Sequence, residues 1–261
     1  MNTILYPVQF VGAGPGDPEL ITIKGMKALK EADLIIYAGS LVPKELLGWA
    51  KNPGVKTINS ASMHLKEIID TIESSYFAGK KIVRLHTGDP SLYGAILEQF
   101  YELKKLSIQF KTIPGVSAAF AAAASMNMEY TLPEKTQTLI LTRISGRTPV
   151  PELEDLDKLC SHQSSIVIYL SIAHIKRVEK TISNSYGSNS ICALAHKIGF
   201  KEEKIIFCKA KDLAKEVEKN NIKSQTLIIA GVAVKASFAD DQAVKSKLYD
   251  INFSHEYRDK Q

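Results

Sequence analysis

The stretch from Val11 to Leu20 reads VGAGPGDPEL and sets three glycines and two prolines behind the short apolar run Val8–Val11. A glycine-rich turn after a strand is a common phosphate cradle, because the backbone amides at the start of the following helix point at the anion. Position by position, that reading fails here. The dinucleotide pattern G-x-G-x-x-G is met by Gly12 and Gly14, but Asp17 stands where the third glycine belongs, and Gly16 comes one residue early. Pro15 removes an N–H from the turn, and the Asp17 carboxylate would face a bound phosphate. No Lys-Ser or Lys-Thr follows at P-loop spacing. The same residues make a good helix entrance. Asp17 can accept from first-turn amides, Pro18 suits the first helical position, and Glu19 favours the positive end of the helix. Read alone, this is a tight strand-to-helix turn.

The turn is repeated along the chain. Leu85–Gly94 (LHTGDPSLYG) is a second Gly-Asp-Pro turn behind an apolar strand, and Ile113–Ala118 (IPGVSA) closes a third. Apolar, β-rich runs at 8–11, 33–37, 55–58, 81–85 and 108–113 alternate with helical spacing over Pro18–Ala32, His64–Phe77, Leu92–Leu106 and Val116–Ser125. Such alternation predicts an α/β lobe with a mainly parallel sheet over residues 1–126. The three turns then fall at the carboxyl ends of strands, along the sheet edge where α/β proteins bind ligands. After an aperiodic stretch at 126–133, strands are expected at 137–142, 165–170, 191–195, 204–208 and 226–230, with helices near 172–183 and 211–219. That describes a second α/β lobe with a mixed sheet over 135–250, and 251–261 reads as a polar tail.

Composition narrows the function classes. The 261 residues are enough for a sizeable core, and the +5 formal charge is spread without a basic, aromatic-laced block. No nucleic-acid partner is expected, whereas a small polyanionic substrate suits the balance. Cys160, Cys192 and Cys208 form no C-x-x-C pair, and the six histidines are scattered, so neither a disulfide framework nor a protein-held metal is expected. The start MNTILYPVQF lacks the features of a signal peptide, and the longest apolar run, Ala118–Ala124, is too short to span a bilayer. A reducing cytoplasm and no membrane association are expected.

The turn groups are backbone amides, small side chains and two carboxylates, a set better suited to an amine, a ribose and an adenine than to phosphates. At these residues (Val11–Pro18, Thr87–Pro90 and Pro114–Ala118) the chain resembles the tetrapyrrole (corrin and sirohaem type) methylases. Tyr37–Val42, Asn59–Met63, Arg84–Gly94 and Thr142–Pro149 narrow the resemblance to the branch that methylates carbon 11 of precorrin-4 or of its cobalt form in cobalamin synthesis. The resemblance covers nearly the whole chain. Each short match is weak, and the ordered set is strong. It implies two α/β lobes with a ligand cleft between them, usually a homodimer, with S-adenosylmethionine as methyl donor and S-adenosylhomocysteine as product. Carried over by position, the donor set is Pro15, Thr87, Gly88, Asp89, Leu92, Ser117, Ala118, Leu170, Ile198 and Thr226. The segment His196–Phe200 departs from the family pattern, so only backbone contacts are carried over at Ile198.

The chemistry this implies is an in-line displacement at a sulfonium methyl, in which alignment counts for more than a strong base. The Asp89 carboxylate could favour the cationic donor, with helix capping as its plainer role. The tetrapyrrole acceptor carries acetate and propionate groups. Arg143 and Arg147, in a loop taken to lie between the lobes, could pair with these groups, and Gly14, Gly16, Asp17 and Ser40 complete the acceptor set. His86, Tyr93 and Arg143 are the catalytic candidates. For His86 a satisfied structural group is the plainer role, as an exposed ion pair is for the arginines. Alternatives are a methylase of uroporphyrinogen III or another precorrin, an NAD(P)-dependent oxidoreductase, and a non-catalytic tetrapyrrole carrier.

Overall fold

A computed structural model describes residues 4–39, 42–238 and 254. They fall into two compact units, one made of the described residues within 1–121 and 198–201, the other of those within 122–197 and 202–261.

The first unit holds strands β1 (Val8–Gly12), β2 (Leu34–Tyr37), β3 (Lys56–Asn59), β4 (Ile82–His86) and β5 (Phe110–Ile113). All pair in parallel, in the order β3-β2-β4-β1-β5. Parallel neighbours need crossovers, supplied here by helices α1 (Ile23–Glu31), α2 (Leu65–Phe77) and α3 (Ile96–Lys105). The two-residue period of a strand divides its side chains between two cores. Val8, Phe10, Leu34, Ile36 and Ile82 pack with Ile68, Ile72 and Tyr76 of α2 and Leu103 of α3. Val11, Ile35, Val83 and Leu85 pack with Ala28 and Leu29 of α1. Burying each large aliphatic side chain contributes about 1.5–3 kcal/mol.

Two helices differ from the sequence expectation. Pro18–Ala32 is not continuous. A 3-10 turn at Pro18–Leu20 ends where Ile21 and Thr22 become extended, and the Thr22 hydroxyl then caps α1 by accepting from Gly25 N. The helix expected from Leu92 starts only at Ile96, because Tyr93 and Ala95 have φ of 57° and 48°, left-handed values that a right-handed helix excludes.

Helix α4 (Ala118–Ser125) leads into the second unit, which contains β6 (Leu139–Arg143), β7 (Ser165–Tyr169), β8 (Ile191–His196), β9 (Lys204–Lys209) and β10 (Thr226–Ala230). Their order is β6-β7-β10-β8-β9; β6 and β7 are parallel and the other pairs antiparallel. Helices α5 (Leu156–Cys160), α6 (Ile175–Tyr186) and α7 (Leu213–Lys219) cover one face through Leu156, Cys160, Val178, Ile182, Leu213 and Val217. Helix α8 (Val232–Phe238) packs on β8 and β10. Neither α5 nor α8 was expected from sequence, and each has too few turns to show a period. The thiols of Cys160, Cys192 and Cys208 are free, and burial pushes each up to about 12.

Candidate active site

In the first unit, the three glycine turns share the carboxyl edge of the sheet and are locked to one another. Ala13 N donates to His86 O at 2.7 Å. Gly14 and Gly88 form an antiparallel bridge, with N–H···O distances of 3.2 and 2.7 Å. Asp89 ties the second turn to the third, its Oδ2 accepting from Gly115 N at 2.8 Å. Its Oδ1 accepts from Ser91 N at 2.8 Å and from the Ser91 hydroxyl. Burial alone would raise this carboxyl. The bonds from the Ser91 hydroxyl, Gly115 N and Ser91 N outweigh burial and hold it below its ordinary value. Asp89 thus ties turns together and caps no helix, since α3 begins at Ile96.

The glycines serve this interlock. A Cβ at Gly12 would lie 2.5 Å from Gly115 Cα, and one at Gly115 would lie 2.1 Å from Gly88 O. Gly16 is needed by another neighbour, since a Cβ there would lie 2.6 Å from the Phe200 ring. Gly199, at φ +81°, approaches so closely that its Cβ would lie 2.6 Å from Asp17 N. The divergent segment Ile198–Phe200 therefore backs the first turn. At Gly12, Gly16 and Gly115 the close approach is of backbone to protein.

Of the donor set, Pro15, Thr87, Gly88, Asp89, Ser117 and Ala118 stand on these turns or directly after them, and Leu92 follows the second. Ile198 is buried in the segment that backs the first turn. The amides of Ala13, Gly14, Gly88 and Gly115 are spent inside the interlock. A phosphate would need such amides, whereas a cation makes no demand on them. His86 is 5 % exposed and stacks on Phe10. Burial first, and then the Arg84 charge, lower its imidazole to about 3, and its Nε2 has no hydrogen-bond partner. It is an uncharged side chain inside the unit. Tyr93 is partly exposed on the left-handed turn before α3. Asp17 Oδ1 accepts from Glu19 N at 2.8 Å. Ser40 lies outside the described residues.

The remaining candidates share one edge of the second sheet. The antiparallel register that sets Ile228 beside Ile168 brings the start of β10 to the end of β7, and Thr226 pairs with His196. Leu170, just past β7, is 72 % exposed with φ +53°. The Thr226 hydroxyl donates to Ser224 O at 2.9 Å and lies 2.7 Å from His196 Nδ1. Arg143 ends β6, and its loop is part of the second unit. Its guanidinium folds back, donating from Nη1 to Thr148 O at 2.9 Å and from Nη2 to Pro149 O at 3.0 Å. Arg147, on the loop that Arg143 shapes, is exposed. Among the described residues no group of three or more His, Cys, Asp and Glu side chains could hold a metal ion.

A buried network around Arg84 was missed from sequence, where an arginine inside the apolar run 81–85 carries no signal of its partners. It joins Gln99, Ser60 and Ile36.

Residues 7–214 match the family model of tetrapyrrole (corrin/porphyrin) methylases. A cobalt-precorrin-4 C(11)-methyltransferase of Methanocaldococcus jannaschii is 51% identical over 96% of this chain and 95% of its own length. The crystal structure of a cobalamin biosynthetic enzyme, cobalt precorrin-4 methyltransferase, superposes with a TM-score of 0.85 at 42% identity, over 87% of this chain and 95% of that one. The fold is shared more widely. A uroporphyrin-III C-methyltransferase of Thermus thermophilus, crystallised with S-adenosyl homocysteine, gives a TM-score of 0.72 at 22% identity over 93% and 99% of the two chains.

Proposed function

The chain belongs to the tetrapyrrole (corrin/porphyrin) methylases, and from that premise we propose that it methylates carbon 11 of cobalt-precorrin-4 in cobalamin biosynthesis. The methyl donor is S-adenosylmethionine, which supplies a methyl group on a sulfonium leaving group. The single observation that carries this reading is the turn interlock of the first unit. It spends the amides of Ala13, Gly14, Gly88 and Gly115 on the protein itself. Such an edge disfavours the pyrophosphate of a dinucleotide, and a cationic donor makes no demand on those amides.

The chain's own part is placement. We assign donor binding to Pro15, Thr87–Asp89, Leu92, Ser117, Ala118, Leu170, Ile198 and Thr226, acting chiefly through backbone and small side chains. The exposed Arg147 is assigned to the carboxylates of the acceptor. Arg143 supports it by shaping the loop, as Gly14 and Gly16 support the turns. No side chain needs to remove a proton from an electron-rich macrocycle before it attacks, so a buried, neutral His86 is compatible with the reaction.

The protein is proposed to act as a homodimer in the cytoplasm. Among the described residues no helix is long and apolar enough to cross a membrane. Light scattering on the eluting protein tests the dimer, which would weigh twice the 28.8 kDa of one chain. The activity is tested by incubating the protein with methyl-labelled S-adenosylmethionine and cobalt-precorrin-4. Label at carbon 11 is expected. Label on uroporphyrinogen III instead, or no transfer to any tetrapyrrole, would overturn the reading.

A further inference from the structure

The carboxyl edge of the first sheet has two halves. The loops after β1, β4 and β5 form the interlocked turns. The loops after β2 and β3 begin at Tyr37 and Asn59 and stand on the other side of β4 in the strand order. We propose that Arg84, on β4 between the halves, is a positioning residue that fixes the β2 and β3 loops, and through them the acceptor, relative to the donor turns. The acceptor part rests on the function proposed above and on Ser40, in the sequence after β2, which the resemblance assigns to the acceptor set.

Arg84 is 6 % exposed. Its Nε donates to Gln99 Oε1 at 3.2 Å, and its Nη1 donates to Ile36 O at 3.3 Å and to Ser60 Oγ at 3.0 Å. Each partner passes the constraint onward. Ser60 binds Tyr37 O twice, through its amide at 2.8 Å and its hydroxyl at 3.1 Å. Gln99 Nε2 holds Ala95 O at 3.0 Å, at the left-handed turn that starts α3. Beside Ser60, Asn59 Oδ1 accepts from Gly39 N at 3.0 Å and from Ala61 N at 2.9 Å. The network therefore links Tyr37–Gly39, Asn59–Ala61 and the entry to α3 through one guanidinium.

A structural filler would not need a charge at this position. Burial is the cause that lowers the Arg84 guanidinium, to about 10, with no carboxylate offsetting it. It therefore remains a cation at neutral pH, and the oxygens it bonds among the described residues are neutral. A buried charge so placed costs stability, which an apolar side chain on this strand would avoid. The planar fork of arginine, by contrast, can hold several elements in fixed directions at once.

The donor turns have their own bonds, so the two halves should separate on perturbation. The test uses Arg84→Lys, Ser60→Ala and the double variant in the full chain. S-adenosylhomocysteine affinity is expected to stay within about twofold, while the KM for cobalt-precorrin-4 rises about tenfold with little change in kcat. The double variant should be less impaired than the product of the two single effects, as expected for partners in one network. Without any substrate, hydrogen exchange should speed up at Gly39, Ser60 and Ala61 and stay slow at Ala13, Gly14, Gly88 and Gly115. Equal loss of donor and acceptor affinity, faster exchange across both halves, or no change in either half would overturn the proposal. If Arg84→Lys does not fold, Ser60→Ala decides the question by the same two readouts. If the wild-type protein fails to methylate cobalt-precorrin-4, the functional reading falls, and the exchange pattern still decides whether Arg84 couples the loops.

Discussion

At the scale of single residues, the glycines of the turns are not equivalent, and their difference is testable. Gly12→Ala would drive a methyl group to 2.5 Å from the Gly115 backbone, which cannot swing aside as a side chain can. A loss of about 1–3 kcal/mol is expected in chemical denaturation. Gly88→Ala meets nothing nearer than 3.9 Å. Its cost is only that of placing alanine at φ +60°, about 1–2 kcal/mol. It should therefore cost less stability than Gly12→Ala does in the same denaturation. His86 gives a second test. Its folded imidazole sits at about 3, below the ordinary 6.5, through burial and then the Arg84 charge. The unfolded chain thus takes up this proton first as pH falls. The stability held by the neutral ring is full above pH 6.5 and is lost progressively toward pH 3. Between pH 7 and pH 5 the wild type should lose about 2 kcal/mol more than His86→Phe, which keeps the stack on Phe10. Equal pH slopes for the two proteins would refute the buried, neutral assignment.

At the scale of elements, the caps explain where sequence reading succeeded and where it stopped. Helix α2 begins where its apolar stripe predicted, because His64 forms a capping box with Glu67. His64 Nδ1 accepts from Glu67 N at 3.3 Å, and Glu67 Oε2 accepts from His64 N at 2.9 Å. His64→Ala should cost about 0.5–2 kcal/mol and His64→Asn much less, as measured by thermal unfolding. The strands were legible because buried parallel strands are continuous apolar runs. The turns were legible because Gly-Asp-Pro behind such a run leaves the backbone few choices. The break at Ile21–Thr22 and the late start of α3 were not legible. Leu92 and Leu106 bracket a helical period, and nothing in the residue types of Tyr93 or Ala95 announces a left-handed backbone. The same limit applies to the site. That Asp89 matters could be read from its repeated motif, but its two oxygens are directed by Ser91 and by Gly115, the latter on a separate strand's turn. Likewise, Arg143 reads as a free cation until its loop returns Thr148 and Pro149 to it.

At the scale of the whole molecule, the +5 charge of the chain bears on the proposed acceptor, which is rich in carboxylates. Raising the salt from about 0.01 M to about 0.15 M shortens the screening length from about 30 Å to about 8 Å. The KM for cobalt-precorrin-4 should therefore rise with salt, while the affinity for uncharged portions of the donor changes little. A flat salt profile would remove net charge from the account of acceptor capture. The two units keep separate cores and separate sheet edges, and a core lesion such as Ile168→Ala should unfold the second unit at a cost of about 2–5 kcal/mol. In the first unit, Gly12, Gly88 and Gly115 close on one another through main-chain atoms, so this frame makes no distinction between one acceptor and another. An engineer seeking a different acceptor would rewrite the loops beyond β2 and β3 and keep the frame as a fixed chassis. In a lineage diverging by single substitutions, Gly12 and Gly115 would stay glycine, each held so by main-chain atoms that no neighbouring substitution removes.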